Sequence, residues 1–136
     1  MVLETYRLFS YGTLQDPDIQ KILFDHQLIM QRATLKDWRL YCRETGYLFI
    51  RPEKGFSVEG FILTVTEDEL WIADQWEEVP KYDRVMLPSI LTDGNICEVW
   101  AYIQPHGKGK PVSSSILFSL PKEQVLQQVR AFKSSL

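Results

Sequence analysis

Leu8-Phe9-Ser10-Tyr11-Gly12-Thr13-Leu14 reads as a strand running into a glycine turn, with a helix start at Asp16-Pro17 just behind it. Leu8 and Phe9 are apolar strand residues, and Tyr11-Gly12-Thr13 breaks the strand. Asp16 can cap the helix, and Pro17 fits its first position because that N–H would have no partner there. A turn of this kind leaves successive backbone N–H groups pointing above the strand end, and glycine lets the backbone come close to a ligand. Many sheets end in a glycine turn, so the chemistry has to come from elsewhere in the chain.

Outward from this turn, the 136 residues fit one domain, 1–136, large enough for a real core. Hydrophobic residues make up 45% and charged residues 24%, an ordinary balance that argues against disorder. The formal net charge of −3 predicts no global basic face of the kind nucleic-acid binders show. No apolar run is long enough to span a bilayer. Met1 to Arg7 does not read as a signal peptide, since Glu4 interrupts it and the first strand follows at once. The expected compartment is cytoplasmic. Cys42 and Cys97 share no CxxC spacing and read as reduced core residues, with a disulfide between them the less favoured alternative.

The pattern predicts a strand over Tyr6 to Ser10 and a helix over Pro17 to Phe24 with Ile19, Ile22 and Leu23 inward. A strand over Ala33 to Tyr41 follows, then a turn at Arg43-Glu44-Thr45-Gly46. Tyr47 to Ile50 is a short apolar run closed by Arg51-Pro52-Glu53-Lys54-Gly55, and Ser57 to Val65 is the next strand. Gly60 inside that strand suggests a bulge or a close backbone approach. Thr66-Glu67-Asp68-Glu69 is a capping box that opens a helix running to about Glu78, before Pro80. Tyr82 to Leu87 and Ile96 to Ile103, around Thr92-Asp93-Gly94-Asn95, predict a hairpin. Gln104 to Ser115 is a loop, and Pro121 to Phe132 a last helix with Val125, Leu126, Val129 and Phe132 on one face. The fold class is mixed α/β (α+β), with several strands and about three helices.

At 100° per residue, Ile72, Trp76, Ala73 and Leu70 form one apolar arc on the second helix, and Glu77 falls inside it. A carboxylate at the core side of a helix C-terminus is disfavoured in its charged form by burial and by the helix dipole. Both effects raise its pKa, as a general base near neutral pH requires. The bland alternative is a core glutamate paired with an arginine such as Arg84, and for Glu77 taken alone it is the better bet. Asp74, one turn earlier at the edge of the arc, suits a supporting role. Trp76 is core by angle, and Trp71 is rim or surface. His106 sits in a solvated basic loop without the spacing of a phosphate loop. His26 is expected to be exposed. The Ser113-Ser114-Ser115 run lacks the context of a nucleophile.

Tyr11-Gly12-Thr13-Leu14, Val58-Glu59-Gly60, Asp74-Gln75-Trp76-Glu77 and Tyr82-Asp83-Arg84 together resemble the gamma-glutamylcyclotransferase-like family over roughly residues 6 to 104. That family has a Tyr-Gly-Thr-Leu loop after its first strand, then a Val-x-Gly strand, a helix ending in Asp-x-x-Glu, and Tyr-x-Arg on the next strand. The chain departs from it at Glu78 (usually Gly), Ala73 (usually Leu) and Leu48 (often Pro). The resemblance implies a mixed β-barrel or sheet with about three flanking helices. It also implies an enzyme that cyclises a gamma-glutamyl amine or amino acid to 5-oxoproline and a free amine. Glu77 would be the general acid/base; Tyr11, Gly12, Thr13 and Leu14 would hold the substrate; Tyr82 would line its site. No metal and no organic cofactor is implied, because the nucleophile belongs to the substrate. The expected partner is that small molecule, with no nucleic acid and no membrane, on a monomer or homodimer. Two readings compete with it: a non-catalytic small-ligand-binding or regulatory module on the same fold, and a structural domain with Glu77 neutralised.

Overall fold

The computed structural model describes residues 4–77, 82–113 and 121–136. The strand that opens the chain, β1 (Thr5–Ser10), ends at the glycine turn, and α1 (Pro17–Phe24) follows a single 3-10 turn at Thr13–Gln15. Two long strands come next, β2 (Met30–Cys42) and β3 (Leu48–Thr66). Then follow α2 (Glu67–Trp76), the hairpin β4 (Asp83–Leu91) and β5 (Ile96–Ile103), the short β6 (Lys110–Pro111) and α3 (Lys122–Ser135).

The sheet order is β3-β1-β5-β4-β2-β6, and β2 also pairs with β3. Five strands therefore form a closed circuit, with β6 attached to β2 outside it. The circuit is thin in two places: β1 meets β5 in parallel at the single pair Leu8–Trp100, and β2 meets β4 at Ala33–Leu91 and Thr34–Ile90. Strand alternation sorts the apolar residues into two clusters. Phe9, Leu35, Ile62, Val99, Ala101 and Ile103 form one. Leu8, Leu63, Val65 and Tyr102 turn the other way and pack with the helices through Ile19, Leu23, Leu70, Ala73, Val125 and Val129.

One predicted break does not occur. Arg51-Pro52-Glu53-Lys54-Gly55 does not separate two strands; β3 runs through it. The turn-forming residues are absorbed in an irregularity of the β2–β3 pairing, where the register jumps from Lys36–Ser57 to Trp38–Pro52. Asp37 (φ 66°) and Gly55 (φ 90°) take left-handed backbone there, and the Asp37 carboxylate accepts the Gly55 N–H at 3.0 Å. Local turn chemistry bends a strand rather than ending it when pairing before and after the irregularity holds the strand in place.

Smaller differences follow from tertiary pairing and capping. Strand β4 extends to Leu91 because Ser89 and Ile90 pair with Cys97 and Ile96. The loop after Gln104 is pinned where Lys110 and Pro111 pair with Cys42 and Tyr41, and its Gly107 is buried. The last helix runs Lys122–Ser135. Cys42 and Cys97 are free thiols, partly exposed at strand ends rather than core. Among the described residues no helix is long and apolar enough to cross a membrane. The second helix ends at Trp76, short of the expected reach to about Glu78; Glu78 and Pro80, Met1 to Leu3, Ser114 and Ser115 lie outside the described residues.

Gly60 makes the close approach its position in a strand suggested. A Cβ there would stand 2.2 Å from the Ser10 carbonyl oxygen and 2.8 Å from the Phe9 ring. Backbone cannot yield as a flexible side chain can, so Gly60→Ala forces β3 away from the end of β1. We expect a loss of about 3 kcal/mol, at the upper end for overpacking, read as a lowered midpoint in denaturant unfolding.

The capping box at Thr66 forms as the spacing predicts. Glu69 N–H donates to Thr66 Oγ1 at 3.3 Å, and Thr66 N–H donates to Glu69 Oε1 at 2.9 Å. The second oxygen of Glu69 meets the ring of His26, which is exposed as expected. That hydrogen bond raises the His26 pKa above its ordinary value, with desolvation opposing in part. A raised histidine pKa stabilises the fold fully below the unfolded value of about 6.5 and loses this contribution as pH rises through the folded value. The stability difference between the wild-type chain and His26→Gln should therefore be larger at acidic than at alkaline pH. Thermal unfolding on either side of neutrality measures it.

Candidate functional site

The glycine turn is built from the chain immediately around it. Asp16 caps α1 by accepting from Asp18 N–H at 2.9 Å and Ile19 N–H at 3.3 Å, as the Asp-Pro signal predicts. Gln15 N–H donates to Gly12 O and Asp16 N–H to Thr13 O, which closes the 3-10 turn. The amides of Gly12, Thr13 and Leu14 precede these bonds and enter no hydrogen bond among the described residues. They are the orphan donors of a helical start. Gln20 holds the turn from beneath. It is wholly buried, donates to the Leu14 carbonyl at 2.8 Å, and accepts from Leu28 N–H at 2.9 Å. The helical pattern had given α1 an apolar face without Gln20. A polar residue between Ile19 and Ile22 was the available signal.

Tyr11 points inward from the turn and is buried. Its hydroxyl donates to the Tyr102 carbonyl at 2.7 Å. Burial, followed by the charge of Glu77, holds the Tyr11 pKa well above the ordinary phenol value. Tyr102 is buried on β5, and its hydroxyl donates to Asp74 Oδ1 at 2.7 Å. Burial first, then the bond to Asp74 with its charge, and then Glu77 push its pKa above the phenol range. Both phenols stay protonated at physiological pH and serve as donors, so proton uptake in this cluster falls to carboxylates.

Helix α2 supplies those carboxylates. Its last residue is Trp76, and Glu77 is the C-cap, its N–H donating to Ala73 O at 2.9 Å. Glu77 is thus one position beyond the helix rather than on its face, and it is half-buried. Its charge raises the pKa of the buried Tyr11 and Tyr102 phenols. Trp76 strengthens that link: its indole N–H donates to Thr13 Oγ1 at 3.3 Å. Trp76 is half-buried rather than core, and Trp71 is on the surface, 55% exposed.

Arg84 does not take the role of neutralising Glu77. Its guanidinium grips Asp74 with two bonds, Nε–Oδ1 at 2.7 Å and a second nitrogen to Oδ2 at 3.1 Å, while stacking over the Trp100 ring at 4.6 Å. Asp74 therefore receives Arg84 and Tyr102 together, which is structural support. The reason is reach: β4 lies alongside β5, whose Tyr102 is paired directly opposite Arg84. Tyr82 is buried just before β4, and its hydroxyl donates to the Leu48 carbonyl at 3.0 Å. Hydrogen bonds thus join Tyr11 to Tyr102, Tyr102 to Asp74, and Trp76, the neighbour of Glu77, to Thr13; Tyr102 enters this network without a motif to announce it. Leu14 turns into the helical core. His106 and Ser113 are exposed.

Residues 8–119 match the family model described as gamma-glutamyl cyclotransferase, AIG2-like. The chain belongs to that family. Among curated relatives, it is 34% identical over 90 residues to AIG2-like protein C of Arabidopsis thaliana, covering 65% of this chain and 52% of that protein. It is 33% identical over 92 residues to AIG2-like protein D of the same plant, covering 66% and 60%. The chain spans little more than half the length of these relatives. Among solved structures, one Arabidopsis thaliana protein superposes with a TM-score of 0.70 at 24% identity, covering 99% of this chain and 90% of that one. A gamma-glutamyl cyclotransferase superposes with a TM-score of 0.67 at 16% identity, covering 94% and 88%. At these identities the likeness establishes the mixed sheet-and-helix fold alone.

Proposed function

We propose that this chain is a cyclotransferase that converts a gamma-glutamyl amine or gamma-glutamyl amino acid into 5-oxoproline and the free amine. The observation that carries the reading is the position of Glu77. It caps α2 directly after Trp76, whose indole bonds Thr13 of the turn, in a family whose model is a gamma-glutamyl cyclotransferase. In the reaction the substrate's own alpha-amine attacks its side-chain amide carbonyl. A new C–N bond closes the five-membered ring, and the C–N bond to the departing amine breaks. The attacking nitrogen gives up a proton and the leaving nitrogen takes one, so a single carboxylate near both can act first as base and then as acid. Glu77 fills that role. The amides of Gly12, Thr13 and Leu14, which enter no hydrogen bond among the described residues, suit an anionic oxygen of the substrate, either its carboxylate or the developing oxyanion. Tyr11 and Tyr82 are buried beside this place. The two tyrosines spend their hydroxyls on backbone carbonyls, so they shape and stiffen the wall rather than exchange protons.

The test is a panel of gamma-glutamyl amines and gamma-glutamyl dipeptides, with 5-oxoproline release as the readout. Turnover of at least one member supports the reading. Binding without release across the panel overturns it in favour of a non-catalytic ligand-binding module.

A further inference from the structure

Helix α3 begins after the last residue of the family match at 119, yet it contacts both ends of α1 and, through Trp76, the glycine turn. At its start, Lys122 reaches Asp18 at 2.8 Å and Asp16, the cap directly behind the turn, at 3.3 Å. Near its end, Lys133 donates to the Leu23 carbonyl at 2.6 Å, in the last turn of α1, where a cation suits the helix dipole. Between them, Val125, Leu126 and Val129 are buried in the helical core. Phe132 meets Trp76 edge to face, ring centroids 5.2 Å apart. Trp76 is the residue whose indole N–H holds Thr13.

We propose that α3 is a brace for the substrate-binding turn, acting through Phe132 and Trp76 on Thr13; the proposal rests on the cyclotransferase reading of that turn. Trp76 precedes Glu77 directly, so one indole fixes two things together: the end of α2 that carries the carboxylate, and the loop that carries the amides. An indole can rotate about two bonds. The edge-to-face contact with Phe132 and the bond to the Thr13 hydroxyl both restrain those rotations. Trp76, Phe132 and Thr13 Oγ1 are thus positioning groups, which set the spacing between the amides and the carboxylate. Orientation to a fraction of an ångström matters for such a pair.

The brace is tested by amide hydrogen exchange at Gln15 and Asp16, whose N–H groups close the turn, in the full chain. Trp76→Phe keeps an aromatic ring against Phe132 and removes the donor to Thr13. It should speed exchange at these two amides by about fivefold to tenfold, the worth of one hydrogen bond. Thr13→Val should do the same, the two together should add little, and Thr13→Ser should retain protection. Phe132→Ala should reproduce the effect and Phe132→Leu should restore most of it. On a turned-over gamma-glutamyl substrate, Trp76→Phe should raise KM by a similar factor with a smaller change in kcat. Unchanged exchange at Gln15 and Asp16 in Trp76→Phe overturns the brace. A chain that shows the exchange response but releases no 5-oxoproline overturns the cyclotransferase reading and leaves the brace standing.

Discussion

Glu77→Gln should remove 5-oxoproline release while leaving the unfolding midpoint within experimental scatter of the wild-type chain. The substitution keeps shape and hydrogen-bonding capacity but cannot take up a proton. General acid–base catalysis by a positioned carboxylate is worth roughly a hundredfold to ten-thousandfold, and here one group is asked to act twice. We therefore expect kcat to fall by at least about a thousandfold, measured by 5-oxoproline formation under saturating substrate. Binding of the substrate should survive, because the amides of Gly12, Thr13 and Leu14 are untouched. The neighbours of Glu77 make this a clean experiment. Tyr11 and Tyr102 are protonated donors that cannot substitute as bases near neutral pH, and Asp74 is held by Arg84 and Tyr102. A Glu77→Gln chain that turns over normally would show that the proton is moved by something else.

The second large effect is structural. Asp74→Ala should destabilise the fold by about 3 kcal/mol, the low end for stripping one partner from a buried ion pair. Asp74 is the single acceptor for both ends of a small network: two guanidinium nitrogens of Arg84 and the hydroxyl of Tyr102. Its removal leaves a buried phenol donor and a mostly covered cation without their acceptor. Some solvent reaches Arg84, whose side chain is 25% exposed, so the loss should not approach the larger values seen for fully buried pairs. The removal also frees Arg84 within reach of the end of α2. Urea unfolding of Asp74→Ala and Asp74→Asn separates the contributions. The amide retains an acceptor for Tyr102 and loses the ion pair, so it should fall between wild type and the alanine variant.

Tyr102 shows where the sequence stops being legible. Nothing local distinguishes it from Tyr41 or Tyr6 as a strand tyrosine; only the pairing of β4 with β5 sets it opposite Arg84 and under Asp74. Arg84 itself was the natural partner to suspect for Glu77, because both lie near the same turn of chain. The strand geometry gave it to Asp74 instead. Gln20 reads as a polar interruption on an amphipathic helix until it is seen bonding to the Leu14 carbonyl. The bend of β3 is a similar case. Arg51 to Gly55 contains a Pro and a Gly that read as a break, but pairing with β2 at Pro52 and again at Ser57 keeps β3 one strand across the irregularity.

What the sequence determined by itself is whatever is decided within a few residues. Asp16 and Pro17 start α1, Thr66 and Glu69 start α2, and the 3.6-residue period puts Leu70 and Ala73 inward. The Tyr11–Leu14 turn follows the first strand, and four short motifs in order point to the family. These depend on backbone geometry and capping, which have short range. The tertiary structure alone decided that Trp76 at the end of α2 bonds Thr13 in the turn, that Arg84 answers Asp74, and that α3 leans on Trp76. Such contacts depend on how the sheet closes and where each helix lands, and no periodicity along the chain encodes them. The glycine turn is written in the sequence; its partners are set by the fold.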